Sequence, residues 1–375
     1  MKVRKKAIVV TVFTLKVLIM MSSSSNVSSA ALYLLGDSSV DCGDNTLFYP
    51  IFHHNLSLHP CNGSDSSLLP HFLAEKMGFP YTPPFLTQNG TLQGLLNGLN
   101  FGSAQATIMN VPTGDHPLQS LNQQLRQVFE TFQLLELQLS PENAHHFIKS
   151  SVFYLSFGKD DYTNLFLRNS SGIRFKYDGH AFAHVLVNEM VRVMRNLYAA
   201  NVRKIVCMGI LPLGCAPRIL WERHNTTDIG VGDATRECVR EVNLRVLEYN
   251  TMLEERVVEL NSELSEAQIV FCDVYQGIMK IIENPTRYGF EEVKMACCGL
   301  GPYGGMAGCV DPGLACHDAS THVWWDLYNP TPAVNSLLAD SAWFGQPMPN
   351  ICRPVTVKEL ATAPILPRLD FIIKI

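Results

Sequence analysis

The chain has 375 residues, a net charge of −5 and eleven cysteines. That balance, with no basic stripe, excludes a nucleic-acid partner, because such binding needs clustered Lys and Arg facing phosphates. The cysteine count is high for a reducing compartment and fits an oxidising one, and the odd number leaves at least one thiol unpaired.

In chain order, residues 1–30 read as a signal peptide. Basic Lys2, Arg4, Lys5 and Lys6 precede an apolar run from Ala7 to Met21, and small residues follow up to Ala30. The run is interrupted by Lys16 and is short for a membrane span, and no later stretch is long and apolar enough, so no stable membrane insertion is expected. Sequons begin at Asn55, Asn62, Asn89, Asn169 and Asn225, each a possible glycan acceptor on the secretory route. The expected destination is therefore extracellular.

Residues 31–353 carry no linker-like segment and read as one α/β domain with a mainly parallel sheet, followed by a tail at 354–375. Five short apolar runs are the candidate strands: 31–35, 98–101, 152–156, 204–208 and 268–271. Several are apolar throughout, as strands covered on both faces should be. Leu121, Leu125, Val128, Phe132 and Leu135 form one helical stripe, and Val239, Val242, Val246, Tyr249, Leu253 and Leu260 form another. The Gly- and Cys-rich region from Cys297 to Trp325 reads as an irregular, disulfide-tied loop, with Cys297, Cys298, Cys309 and Cys316 as contributors. Cys215 and Cys238 are plausible disulfide partners. A zinc site from Cys309, Cys316 and His317 fits an oxidising compartment less well, so neither a metal nor a cofactor is called for.

In a parallel sheet the chemistry gathers where strand carboxyl ends meet the next loops. The first strand runs into Gly36-Asp37-Ser38-Ser39, which puts Ser38 at a strand-to-helix turn with its hydroxyl at the sheet edge. Taken alone, such a triplet also fits a turn with a helix cap. The wider pattern decides between them. Residues 35–45 (LGDSSVDCGDN), 98–104 (GLNFGSA), 156–162 (SFGKDDY), 211–215 (LPLGC) and 324–331 (WWDLYNPT) together resemble the successive blocks of the plant GDSL esterase/lipase family, in order and over nearly the whole mature chain.

That resemblance implies a flavodoxin-like, three-layer SGNH-hydrolase fold and cleavage of carboxylic, lipid-type esters through an acyl-enzyme. The ligand it implies is an ester or lipid-like small molecule. Carried over residue by residue, it makes Ser38 the nucleophile, Asp326 the triad acid and Asn329 the occupant of the histidine position. The oxyanion hole falls to Ser38, Ala104 and Asp160. Three of these depart from the family pattern. Ala104 for glycine keeps the backbone N–H. Asp160 for asparagine loses an amide donor and, when ionised, sets a carboxylate beside the oxygen that must become negative. Asn329 for histidine removes the group that takes and returns the serine proton. His322 and His317 are the candidates for a substitute base, against the plainer reading of both as loop histidines. Three functions follow: an esterase with an unusual base, a non-catalytic member that binds an acylated lipid, wall ligand or partner protein, or an acyltransferase that needs the same base.

Overall fold

The structure is a computed structural model describing residues 30–41, 68–79, 82–109, 120–168, 172–226, 238–309, 313 and 315–364. Its strands are β1 (Leu32–Gly36), β2 (Val152–Ser156), β3 (Lys204–Met208), β4 (Gln268–Cys272), β5 (Glu292–Ala296), β6 (His322–Trp324) and β7 (Cys352–Arg353). The described helices of eight or more residues are α1 (Leu69–Lys76), α2 (Leu121–Leu139), α3 (Pro141–Ser150), α4 (Gly179–Ala199), α5 (Pro217–Thr226), α6 (Arg240–Glu263), α7 (Val274–Glu283) and α8 (Pro332–Phe344).

The central sheet has the order β1-β2-β3-β4-β7, with the first four strands parallel and β7 antiparallel at the edge. Every residue of β1, β2 and β3 is buried, which is why these segments are apolar without alternation. The stripe on α2 is buried in full, and it packs against β1. On α6, Val246, Tyr249, Leu253 and Leu260 are buried, while Val239 and Val242 at its start are only half-buried. Asp178, Asp273 and Thr331 cap α4, α7 and α8 by accepting the backbone N–H three residues on.

The expected strand at 98–101 is reduced to single bridges, from Asn100 to Leu34 and to Pro84. Two features stop a ladder from growing. Gly98 has φ +85° and lies so close to β1 that a Cβ there would sit 2.0 Å from Leu32 O. On the other side, the neighbour is a Pro83-Pro84 pair, and proline has no N–H to donate.

Beyond the sheet, Cys297–Cys316 and Cys298–Cys309 tie the glycine-rich loop, and the parallel pair β5–β6 brackets it. Cys215–Cys238 also forms, and Cys272–Cys352 fastens β7 to β4. With Cys309 and Cys316 in disulfides, no thiolates remain there for zinc. Cys207, inside β3, is a buried free thiol. After β7, the short helix Val357–Thr362 packs on β3 and β4 with Val357, Leu360 and Ala361 buried, so the packed body continues past Arg353. Lys204 Nζ donates to Ala361 O at 2.9 Å and anchors that helix. Among the described residues no helix is long and apolar enough to cross a membrane.

Residues 1–29 and the sequons at Asn55, Asn62 and Asn169 lie outside the described residues. Asn225 falls in the last turn of α5. Asn89 is exposed, and its Oδ1 accepts from both the Thr91 N–H and the Thr91 hydroxyl.

Candidate active site

The carboxyl end of β1 is held by a fully buried glutamine. Gln124 Oε1 accepts from Gly36 N at 2.9 Å, and its Nε2 donates to Gly36 O at 2.8 Å. The chain then turns at residues 38–40, closed by Val40 N donating to Asp37 O. Asp37 is completely buried. One of its oxygens accepts the N–H and hydroxyl of Ser39, and the other accepts Asp160 N at 3.2 Å. Burial, and then the nearby Asp160 carboxylate, push its carboxyl up to about 6.

The next strand end supplies the partner. After β2 the chain passes Gly158 at φ +105° and enters a π-helical turn, Asp161–Phe166. Such turns recur at functional sites because they redirect side chains without ending the helix. Here the turn sends two adjacent carboxylates to different loops. Asp160 Oδ1 accepts the Ser38 hydroxyl at 2.6 Å, while its Oδ2 accepts Ser38 N at 3.0 Å and Gln105 N at 2.8 Å. Asp161, fully buried, accepts Ile108 N and Met109 N. Burial outweighs those two bonds and pushes its carboxyl up to about 8.

The amide that converges with that of Ser38 is therefore Gln105's. Ala104 N donates instead to Asp41 Oδ2 at 2.8 Å. Gln105 adopts φ +66°, the left-handed conformation that turns its N–H inward. The small-residue run 102–104 signals a special turn, but which amide faces the serine depends on the backbone path and not on residue type.

Asp326 and Asn329 lie on a tight loop between β6 and α8, closed by Trp325 N donating to Asn329 O at 2.8 Å. Asp326 Oδ1 accepts the N–H groups of Tyr328 and Asn329, and the Asn329 amide spans both carboxylate oxygens at 3.0 and 2.9 Å. Asn329 Oδ1 in turn accepts Lys159 Nζ at 2.6 Å. Lys159 is only 3% exposed and did not stand out in the sequence, since a single charge beside a turn ordinarily faces solvent.

Neither candidate histidine hydrogen-bonds Ser38 or Asp160. His322 Nδ1 stays within its own loop, 3.0 Å from Asp318 O and 3.3 Å from Thr321 Oγ1. His317 is exposed beside Asp318. Trp324 is core, with its indole N–H on Val293 O. No cluster of His, Cys, Asp or Glu suited to a metal ion occurs among the described residues.

Next to the Lys159–Asn329 contact lies a cleft of about 50 Å³ with largely apolar walls, among them Leu68, Leu69, Met208, Ile278 and Leu338. Ser39, Lys159 and Asn329 contribute polar lining.

The sequence model of the GDSL-like Lipase/Acylhydrolase family matches residues 32–342. GDSL esterase/lipase At1g71250 of Arabidopsis thaliana is 32% identical over 342 residues, 88% of each chain. GDSL esterase/lipase 7 of the same plant is 29% identical over 346 residues, 88% of this chain and 92% of that one. A crystal structure of LAE5, an alpha/beta hydrolase enzyme from the metagenome of Lake Arreo, covers 71% of this chain and 87% of that one with 12% identity. Its TM-score of 0.35 is too low to carry an argument.

Proposed function

Since the chain belongs to the GDSL-like lipase/acylhydrolase family, we propose that it is a member whose ester hydrolysis is suppressed and whose cleft serves binding. The observation that carries this reading is the Asp160 carboxylate, which takes both convergent amides and the Ser38 hydroxyl. Ester cleavage needs those amides free to receive the oxygen that becomes negative as the serine attacks. In this chain an arriving carbonyl meets a carboxylate in that place, and like charge opposes the developing oxyanion.

The serine proton has one acceptor at hand, the Asp160 carboxylate, and that same group occupies the place the oxyanion needs. Asn329 keeps the geometry of an orienting partner to Asp326, with its amide on both carboxylate oxygens, but an amide does not accept a proton near neutral pH. Loss of the base in a serine hydrolase lowers turnover by about a millionfold. Acyl transfer to an alcohol needs the same proton acceptor and is suppressed with hydrolysis.

The leader-like terminus, the five sequons and the four disulfides among the described residues support a secreted, glycosylated protein, cell-wall or apoplastic in a plant. The test is hydrolysis of p-nitrophenyl acetate by the secreted protein beside Ser38→Ala made the same way. Equal rates are expected. Turnover that disappears in Ser38→Ala overturns the reading.

A further inference from the structure

Lys159 places a buried ammonium on the wall of an otherwise largely apolar cleft. Of its three N–H bonds, one goes to Asn329 Oδ1, and the others have no protein acceptor among the described residues. The remaining N–H bonds of Lys159, which lines the cleft, can donate to an oxygen that enters it.

Charge and size restrict which oxygen. Asp37 and Asp160 lie close enough to influence each other, Lys159 acts on Asp37, and Asp326 is joined to Lys159 through Asn329. Another anion would join three carboxyl groups around one ammonium, and a cation would meet that ammonium directly. The cleft, about 50 Å³ with largely apolar lining, suits a small occupant.

We propose that this cleft binds a small uncharged molecule bearing one acceptor oxygen on a short apolar body, of the ketone, lactone or alcohol class, with that oxygen on Lys159 Nζ. The proposal rests on the reading that Ser38 does not turn its ligand over, and it adds the recognition residue and the ligand class. The apolar body packs against Leu68, Leu69, Met208 and Leu338, so affinity falls when the chain outgrows the cleft.

The experiment is calorimetric titration of the whole secreted protein with 2-butanone, which has no scissile ester, and with butyrate as its charged counterpart. Lys159→Met keeps the length of the side chain and removes the donors. Leu338→Phe narrows the wall and leaves Lys159 in place. The expected result is millimolar binding of 2-butanone, at least tenfold weaker binding of butyrate, and at least tenfold loss in Lys159→Met. If Lys159→Met does not fold, loss of binding in a folded Leu338→Phe supports the site, and unchanged binding overturns it. Butyrate binding as tightly as the ketone, or Lys159→Met binding normally, also overturns it. The p-nitrophenyl acetate assay on the same samples separates the two readings. Absence of both turnover and ketone binding sinks this proposal alone, whereas Ser38-dependent turnover together with ketone binding sinks the suppressed-hydrolysis reading alone.

Discussion

Restoring histidine at position 329 is expected to achieve little by itself, because the hole remains filled. In Asn329→His the imidazole can bond Asp326 as the Asn329 amide does, but Asp160 still holds Ser38 N, Gln105 N and the Ser38 hydroxyl. Asp160→Asn clears the negative charge but supplies no base. Each single change should raise kcat/KM for p-nitrophenyl acetate less than about tenfold. The pair restores a donor worth about 10²–10³ and a base worth up to about 10⁶. Distortion by Lys159 takes back part of this, since its Nζ sits 2.6 Å from Asn329 Oδ1, in the way of a longer ring. A gain of at least about a thousandfold in Asp160→Asn/Asn329→His is expected, about 4 kcal/mol off the barrier. That exceeds the product of the singles by at least about tenfold, a coupling of about 1.4 kcal/mol. Adding Lys159→Ser should raise the rate again. Single gains that simply multiply to the double, or full recovery in Asn329→His alone, would refute the blocked-hole argument.

Two further outcomes follow from burial and backbone geometry. Asp161 holds its proton up to about pH 8 in the folded protein, against about 4 when unfolded, so the folded state binds more protons across that window and stability falls as pH rises through it. Each pH unit in the window costs up to about 1.4 kcal/mol; the melting-temperature advantage of wild type over Asp161→Asn should therefore shrink between pH 5 and 8, and an advantage that grows there contradicts the assignment. Gly98→Ala should destabilise by about 3 kcal/mol or more, read as a lower urea midpoint at unchanged slope, because the added Cβ meets Leu32 O and the positive φ penalises a side chain.

The sheet was legible because its strands are buried on both faces and so appear as continuous apolar runs; the segments at 152–156 and 204–208 match β2 and β3 at both ends. The run at 98–101 looks like a strand by composition, but its pairing is limited by Gly98 and by Pro83-Pro84 in the neighbouring segment, which a single-window reading does not include. In the site, Ser38, Asp160, Asp326 and Asn329 were readable as motif positions, and the fold brings Ser38 to Asp160 and Asn329 to Asp326. Gln105 was hidden because a backbone N–H carries no sequence signature. Lys159 was hidden because its burial depends on the loop from β6, far away in sequence.

On the proposed reading, the contacts at positions 37, 38, 159, 160 and 329 fit one another. A carboxylate at position 160 in place of an amide needs donors, and the nearest free ones are the two amides that an oxyanion would have used, together with the serine hydroxyl. The shorter Asn329 turns its amide to Asp326 and leaves an oxygen facing inward, and the Lys159 ammonium occupies the space beside it. That ammonium also offsets part of the charge on Asp37, the most deeply buried acid of the serine turn. Each substitution thus satisfies a polar group that another would have left unpaired. Asp326 is ordered by three N–H groups, and a lysine is buried in the wall of a largely apolar cleft. The arrangement is that of a serine hydroxyl held by a carboxylate, with a buried ammonium on the wall of the neighbouring cleft.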